Sequence, residues 1–145
     1  MATRCTVAVI AENGGVGKTK MALTLAVAAV GAGRKVAVFD LDPQATSAQW
    51  TDRRKNEFPW VVATPAARRL GAGARGAASV CAGNLAKAGR RAAHKHAGNI
   101  GQTAQEFDPR GPAADESQKL YMYTMRQLTN KEQGHAIGKP GHNKA

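Results

Sequence analysis

Aromatic residues, acidic residues and long apolar runs are all scarce in this sequence. Seven of its 145 residues are Phe, Trp or Tyr, so any core must rest on small aliphatic side chains. Two cysteines, Cys5 and Cys81, form neither a disulfide framework nor a metal-ligand spacing; inert thiols fit a reducing compartment. No stretch approaches the roughly 20 consecutive apolar residues that cross a bilayer. Residues 1–11 hold one Arg and a short apolar run that leads straight into a glycine loop, unlike a signal peptide. A soluble, cytoplasmic protein is therefore expected.

Acidic groups number 10 against 21 basic ones, for a net charge of +11. The excess is uneven. Residues 1–65 hold eight basic and five acidic side chains, whereas residues 66–145 hold thirteen and five. Such a balance favours contact with a polyanion, most often nucleic acid, without implying sequence specificity. The Arg pairs 68–69 and 90–91 read either as phosphate contacts or as a solvated basic face.

The length suits one compact domain, but its two parts differ in character. Up to about Pro65 the pattern is that of an α/β protein. Thr6-Val-Ala-Val-Ile-Ala is a short apolar run suited to a buried parallel strand. Strong helix formers follow from Lys18 to about Ala32, with Met21, Ala22, Leu25 and Ala29 grouped on one side and Gly31 and Gly33 at the close. Lys35–Asp40 is a second strand. Strand, helix and strand in about 35 residues make a βαβ unit with a right-handed crossover. Asp42 and Pro43 suit the start of a helix over about 44–56, and Trp60–Thr64 a third strand. Trp50 and Trp60 are expected to pack beside the sheet. The expected fold is thus a parallel sheet with flanking helices, of the P-loop NTPase kind.

Residues 66–93 break this pattern, since 16 of the 28 are Ala or Gly and only Leu70, Val80 and Leu85 are large and apolar. Residues 98–114 are polar and turn-rich. Residues 115–132 form one amphipathic helix, with Tyr121, Met125 and Leu128 as a packing or dimer face. The last residues read as a tail.

The chemistry lies in the first part. Glu12-Asn13-Gly14-Gly15-Val16-Gly17-Lys18-Thr19 follows one strand and opens a helix, the setting in which a glycine-rich loop cradles phosphates. Backbone amides and the helix N-terminus face the β-phosphate, Lys18 neutralises the β/γ oxygens, and the Thr19 hydroxyl ligates Mg²⁺. A nucleoside triphosphate with magnesium is the implied ligand. Phe39-Asp40-Leu41-Asp42-Pro43-Gln44 ends the second strand, where ligands bind in parallel sheets. Its carboxylates either serve the metal and the attacking water, or pair with Lys18 (Asp40) and cap a helix (Asp42).

Asn-Gly-Gly-Val-Gly-Lys-Thr followed by Val-Phe-Asp-Leu-Asp-Pro-Gln resembles the ParA/MinD group of deviant P-loop ATPases, especially plasmid and chromosome partition ParA proteins. Ala45–Trp50, Arg53-Arg54, residues 59–62 and Arg69-Leu70 extend the resemblance to about residue 70. It implies that Asn13, Gly14, Gly15, Val16, Gly17, Lys18, Thr19 and Lys20 form the nucleotide loop. It further implies that Asp40 supports magnesium beside Thr19, that Asp42 and Lys18 are catalytic, and that Gln44 senses the γ-phosphate. ATP-dependent dimers, non-specific DNA and a ParB-type partner are its implied associations.

Two departures stand out. Asn13 occupies the place of the group's signature lysine, and Lys20, pointing from the helix, does not replace it. After residue 66 no run of four aliphatics ends in a carboxylate, so the strands that should complete the sheet are missing or unrecognisable. Residues 66–145 then read as frameshifted or truncated relative to the group, which the Ala/Gly/Arg composition favours, or as the divergent tail of a short relative.

Overall fold

The computed structural model describes residues 5–10, 17–63, 78–81 and 92–136. In chain order these form β1 (Val7–Ile10), α1 (Lys18–Gly31), β2 (Ala37–Asp40), α2 (Thr46–Asp52), β3 (Trp60–Ala63), β4 (Ala78–Cys81), α3 (Ala92–Asn99), α4 (Ala104–Phe107) and α5 (Pro112–Ala136). The chain is an α/β protein with short parallel strands and flanking helices. Asn13, Gly14, Gly15, Val16, Leu70, Leu85, both Arg pairs of the second part and the tail beyond residue 136 lie outside the described residues.

The strands form two parallel pairs. β1 pairs with β4, Val7 opposite Ala78, and β2 pairs with β3, Ala37 opposite Trp60. β1 and β2 are thus not hydrogen-bonded neighbours, contrary to the simplest βαβ reading, because a helical crossover does not oblige its two strands to be adjacent. β4 was not expected at all. Ala78-Ser-Val-Cys carries one large aliphatic residue, and its place in the sheet comes from pairing with β1 rather than from its own pattern.

α1 is the centre of the core. Met21, Leu23, Thr24, Leu25, Ala26 and Val27 are all buried, so this helix is covered on more than one side. Met21 and Leu25 pack with Tyr121 of α5, flanked by Val7, Val9, Leu120 and Met125. Leu23 and Val27 pack with Trp50 of α2 and with Val61. The helix ends in a Schellman arrangement, the Gly33 amide donating to Val30 O at 2.9 Å and the Arg34 amide to Ala29 O at 3.0 Å.

Three expectations are corrected here. Trp60 does not pack beside the sheet. It is 62% exposed and stacks on Phe58 with ring centroids 5.5 Å apart, whereas Trp50 is buried. The amphipathic helix is longer than 115–132, running from Pro112, and its Tyr121 and Leu128 face is buried within this chain. α2 starts at Thr46 rather than near Gln44, because Ala45 takes a left-handed conformation (φ 45°) that interrupts the helical path.

Candidate nucleotide-binding site

Two sets of predicted residues follow the carboxyl ends of parallel strands. The first opens α1. Gly17 is its N-cap with φ 88°, a left-handed backbone that glycine adopts without the penalty a Cβ would bring. Gly17 has no side chain with which to cap this end, and no acidic residue lies in the first turn of the helix. The helix N-terminus therefore keeps its positive character for an anion. Lys18 and Thr19 are half-buried in that turn and Lys20 is exposed.

The second set ends β2. Asp40 Oδ1 accepts the Asp42 amide at 3.0 Å, and Oδ2 accepts the Ser47 amide at 3.1 Å. Burial raises the Asp40 pKa, but the Ser47 hydroxyl and these two amides outweigh it and hold the carboxyl below its ordinary value. The Ser47 hydroxyl itself is fully buried and completes no hydrogen bond of good geometry, so the two amides are the firm contacts. Asp40, not Asp42, thus caps α2, whose own N-cap residue Ala45 has no side-chain acceptor.

Asp42 instead opens a turn. Its Oδ1 accepts the Gln44 amide at 3.0 Å, and its carbonyl accepts the Ala45 amide at 2.9 Å. Pro43 holds the second position that type I turns favour. The carboxylate of Asp42 and the side chain of Gln44 are left exposed at the mouth of the strand. These are hard oxygen donors and hydrogen-bonding groups, the kind that serve a magnesium-bound phosphate and its attacking water.

A further cluster lies beyond the predicted set. The Arg54 side chain is 4% exposed and forms a bidentate pair with Glu106, at 2.7 Å (Nη2 to Oε1) and 2.9 Å (Nη1 to Oε2). Arg54 also donates to Phe58 O at 2.9 Å and to Gly101 O at 3.0 Å, and its guanidinium lies 4.6 Å from the Trp50 ring centroid. Trp50 Nε1 donates to Gln102 O at 3.1 Å. Glu106 also accepts from the Thr103 amide and hydroxyl, closing a capping box on α4. Burial raises the Glu106 carboxyl, but Arg54 and Thr103 hold it below the usual range. The Thr103-Ala-Gln-Glu106 spacing is the signal that could have exposed this cluster in the sequence.

Comparison with known proteins agrees with the motif. The family model for the CobQ/CobB/MinD/ParA nucleotide-binding domain (CbiA) matches residues 7–133, well past residue 70. No curated protein and no solved structure matches the chain significantly. The glycine-led start of α1, the carboxylates ending β2 and this match over most of the length place the chain in the CobQ/CobB/MinD/ParA nucleotide-binding domain family.

Proposed function

We propose that the chain is a ParA-like partition ATPase that binds Mg–ATP and switches its hold on non-specific DNA during plasmid or chromosome segregation. The observation that carries the nucleotide part is the glycine-led start of α1, where Gly17 takes φ 88° immediately before Lys18 and Thr19. Thr19 and Asp40 suit magnesium as hard oxygen donors, and the bound ion would neutralise charge on the β- and γ-phosphates. Lys18 adds its ammonium to the same oxygens. Asp42, exposed at the end of β2, is the group that would orient water, and Gln44 follows it in the same turn. The basic balance supports DNA as partner, and family likeness supports a ParB-type stimulator and an ATP-dependent dimer.

A second reading, a nucleotide-binding relative that does not turn over, is favoured by Asn13. An amide there hydrogen-bonds but brings no positive charge to a neighbouring phosphate. Equilibrium binding and steady-state turnover separate the two. Lys18→Ala should weaken Mg–ATP binding at least about tenfold by removing a direct phosphate contact; unchanged binding would discard both readings. Slow wild-type turnover abolished in Asp42→Ala supports the ATPase. A silent wild type that gains turnover in Asn13→Lys supports the binding module. Equal DNA affinity with and without ATP, at one fixed salt concentration, rules out the switch.

A further inference from the structure

We propose that residues 98–106, clasped by Trp50 and Arg54, are a positioning element for the nucleotide site: through α2 they hold the Ser47 amide on the Asp40 carboxylate. The proposal rests on the reading of Asp40 as a magnesium-supporting group.

α2 has seven residues, and one end meets the site while the other meets the clasp. At its start the Ser47 amide donates to Asp40 Oδ2 at 3.1 Å, and Ser47 is 0% exposed. Three residues on, one helical turn away, stands Trp50, and Arg54 follows just past the C-cap Arg53. Both are tied to 98–106, Trp50 through the carbonyl of Gln102 and Arg54 through the carbonyl of Gly101 and both Glu106 oxygens. Arg53 adds a bond to Gly98 O at 3.2 Å.

Little within α2 fixes it otherwise. It is short, its N-cap residue is an alanine in a left-handed conformation, and it carries no acidic residue in its first turn. A helix of about two turns has little stability of its own. Its placement comes from Trp50 in the core, from Asp40 at one end and from the clasp at the other.

The fit at the clasp is backbone on backbone. Gly101 has φ 69°, and a Cβ there would lie 2.5 Å from Arg53 C and from Arg54 N. Only glycine allows the 98–106 turn to sit against the end of α2 this closely. A shift of this segment therefore moves α2, and a shift of α2 moves the Ser47 amide relative to Asp40.

The test uses the full chain with two variants, Glu106→Gln and the milder Arg54→Lys, which keeps the charge but loses the fork. Without nucleotide, amide hydrogen exchange at Ser47 is compared with exchange at Met21–Val30 of α1. With nucleotide, the readout is the gain in ATP affinity on adding Mg²⁺ over EDTA, with Asp40→Asn as control. The expected result is exchange at Ser47 about tenfold faster, α1 amides nearly unchanged, and a several-fold smaller magnesium gain with EDTA affinity preserved. Unchanged Ser47 exchange in both variants overturns the proposal. So does a parallel rise across α1 and α2, which marks a clasp that only stabilises the whole fold. If Ser47 exchange responds but neither Asp40→Asn nor Glu106→Gln alters the magnesium gain, the link to Ser47 stands and the magnesium role of Asp40 falls.

Discussion

Besides the β1–β4 pairing, the second part of the chain meets the first at two places of opposite kind among the described residues. α5 lies on α1 through Met21, Leu25 and Tyr121, an apolar cluster with no directional requirement. The 98–106 segment meets α2 and the residues that follow it through an indole, two guanidiniums, a carboxylate and three carbonyls, each with fixed geometry. An apolar contact tolerates substitutions that conserve volume. A buried ion pair is intolerant, since loss of one partner strands the other away from water. The carboxyl end of β2 leans on the directional contact, through α2 and Ser47, while the bulk of α1 leans on the apolar one. Position is set by polar geometry where a site needs it, and cohesion by packing elsewhere.

The contrast can be broken most forcefully at Gly101. Its added Cβ would meet backbone atoms of Arg53 and Arg54 at 2.5 Å, and those cannot turn aside as a side chain would. Gly101→Ala combines this overpacking with a left-handed φ and should cost about 4 kcal/mol. Urea unfolding should show it, with a loss larger than any conservative change in the apolar cluster. In that cluster Tyr121→Ala removes a buried ring and should cost about 3 kcal/mol, while Tyr121→Phe should cost far less. A Tyr121→Phe loss matching Tyr121→Ala would show that the α1–α5 contact is directional after all.

Glu106→Gln comes next, at about 2 kcal/mol near neutral pH, because Glu106 is partly open to solvent and the buried-pair penalty is softened. Its signature is in acid. Burial raises the Glu106 carboxyl, yet Arg54 and Thr103 lower it further, so the folded value lies below the unfolded one. The stabilisation is therefore complete above the unfolded carboxyl value of about 4.3 and fades as pH falls through the lower folded value. Denaturation curves across that window should be flatter for Glu106→Gln than for the wild type.

The two regions also differ in how far their residues announce them. β1, α1, β2 and β3 stood out because β-branched runs, strong helix formers and the glycine loop all agree locally. The family was legible from the same stretch, since Gly14–Thr19 and Asp40–Gln44 carry their chemistry at fixed spacing. The position of α2 was not legible, because Asp42-Pro43 reads equally as a helix cap or a turn, and the choice fell to Ala45 and a distant cap on Asp40. β4 was invisible because Ala78-Ser-Val-Cys has almost no apolar pattern and is a strand by virtue of its partner. The region beyond residue 92 seemed marginal because its apolar residues are small: Ala97, Ala104, Ala113 and Ala114 are buried with Tyr121 and Leu128. The family match likewise runs past this region, to residue 133.

The smallest expected effect concerns the open face of the β2–β3 pair. Register places Phe39 opposite Val62 and Ala37 opposite Trp60, and all four are exposed, whereas Val61 on the other face packs beside Leu23, Val27 and Trp50. Burial, not residue type, decides what a side chain contributes to stability. Val62→Thr should therefore change unfolding free energy by less than about 0.5 kcal/mol, while Val61→Thr, the same change one residue earlier, should cost about 1–2 kcal/mol by setting a hydroxyl against the core. Equal losses at the two positions would mean that the outer face is covered when the protein is in solution, and the solution mass of the wild type would then show whether another copy of the chain provides the cover.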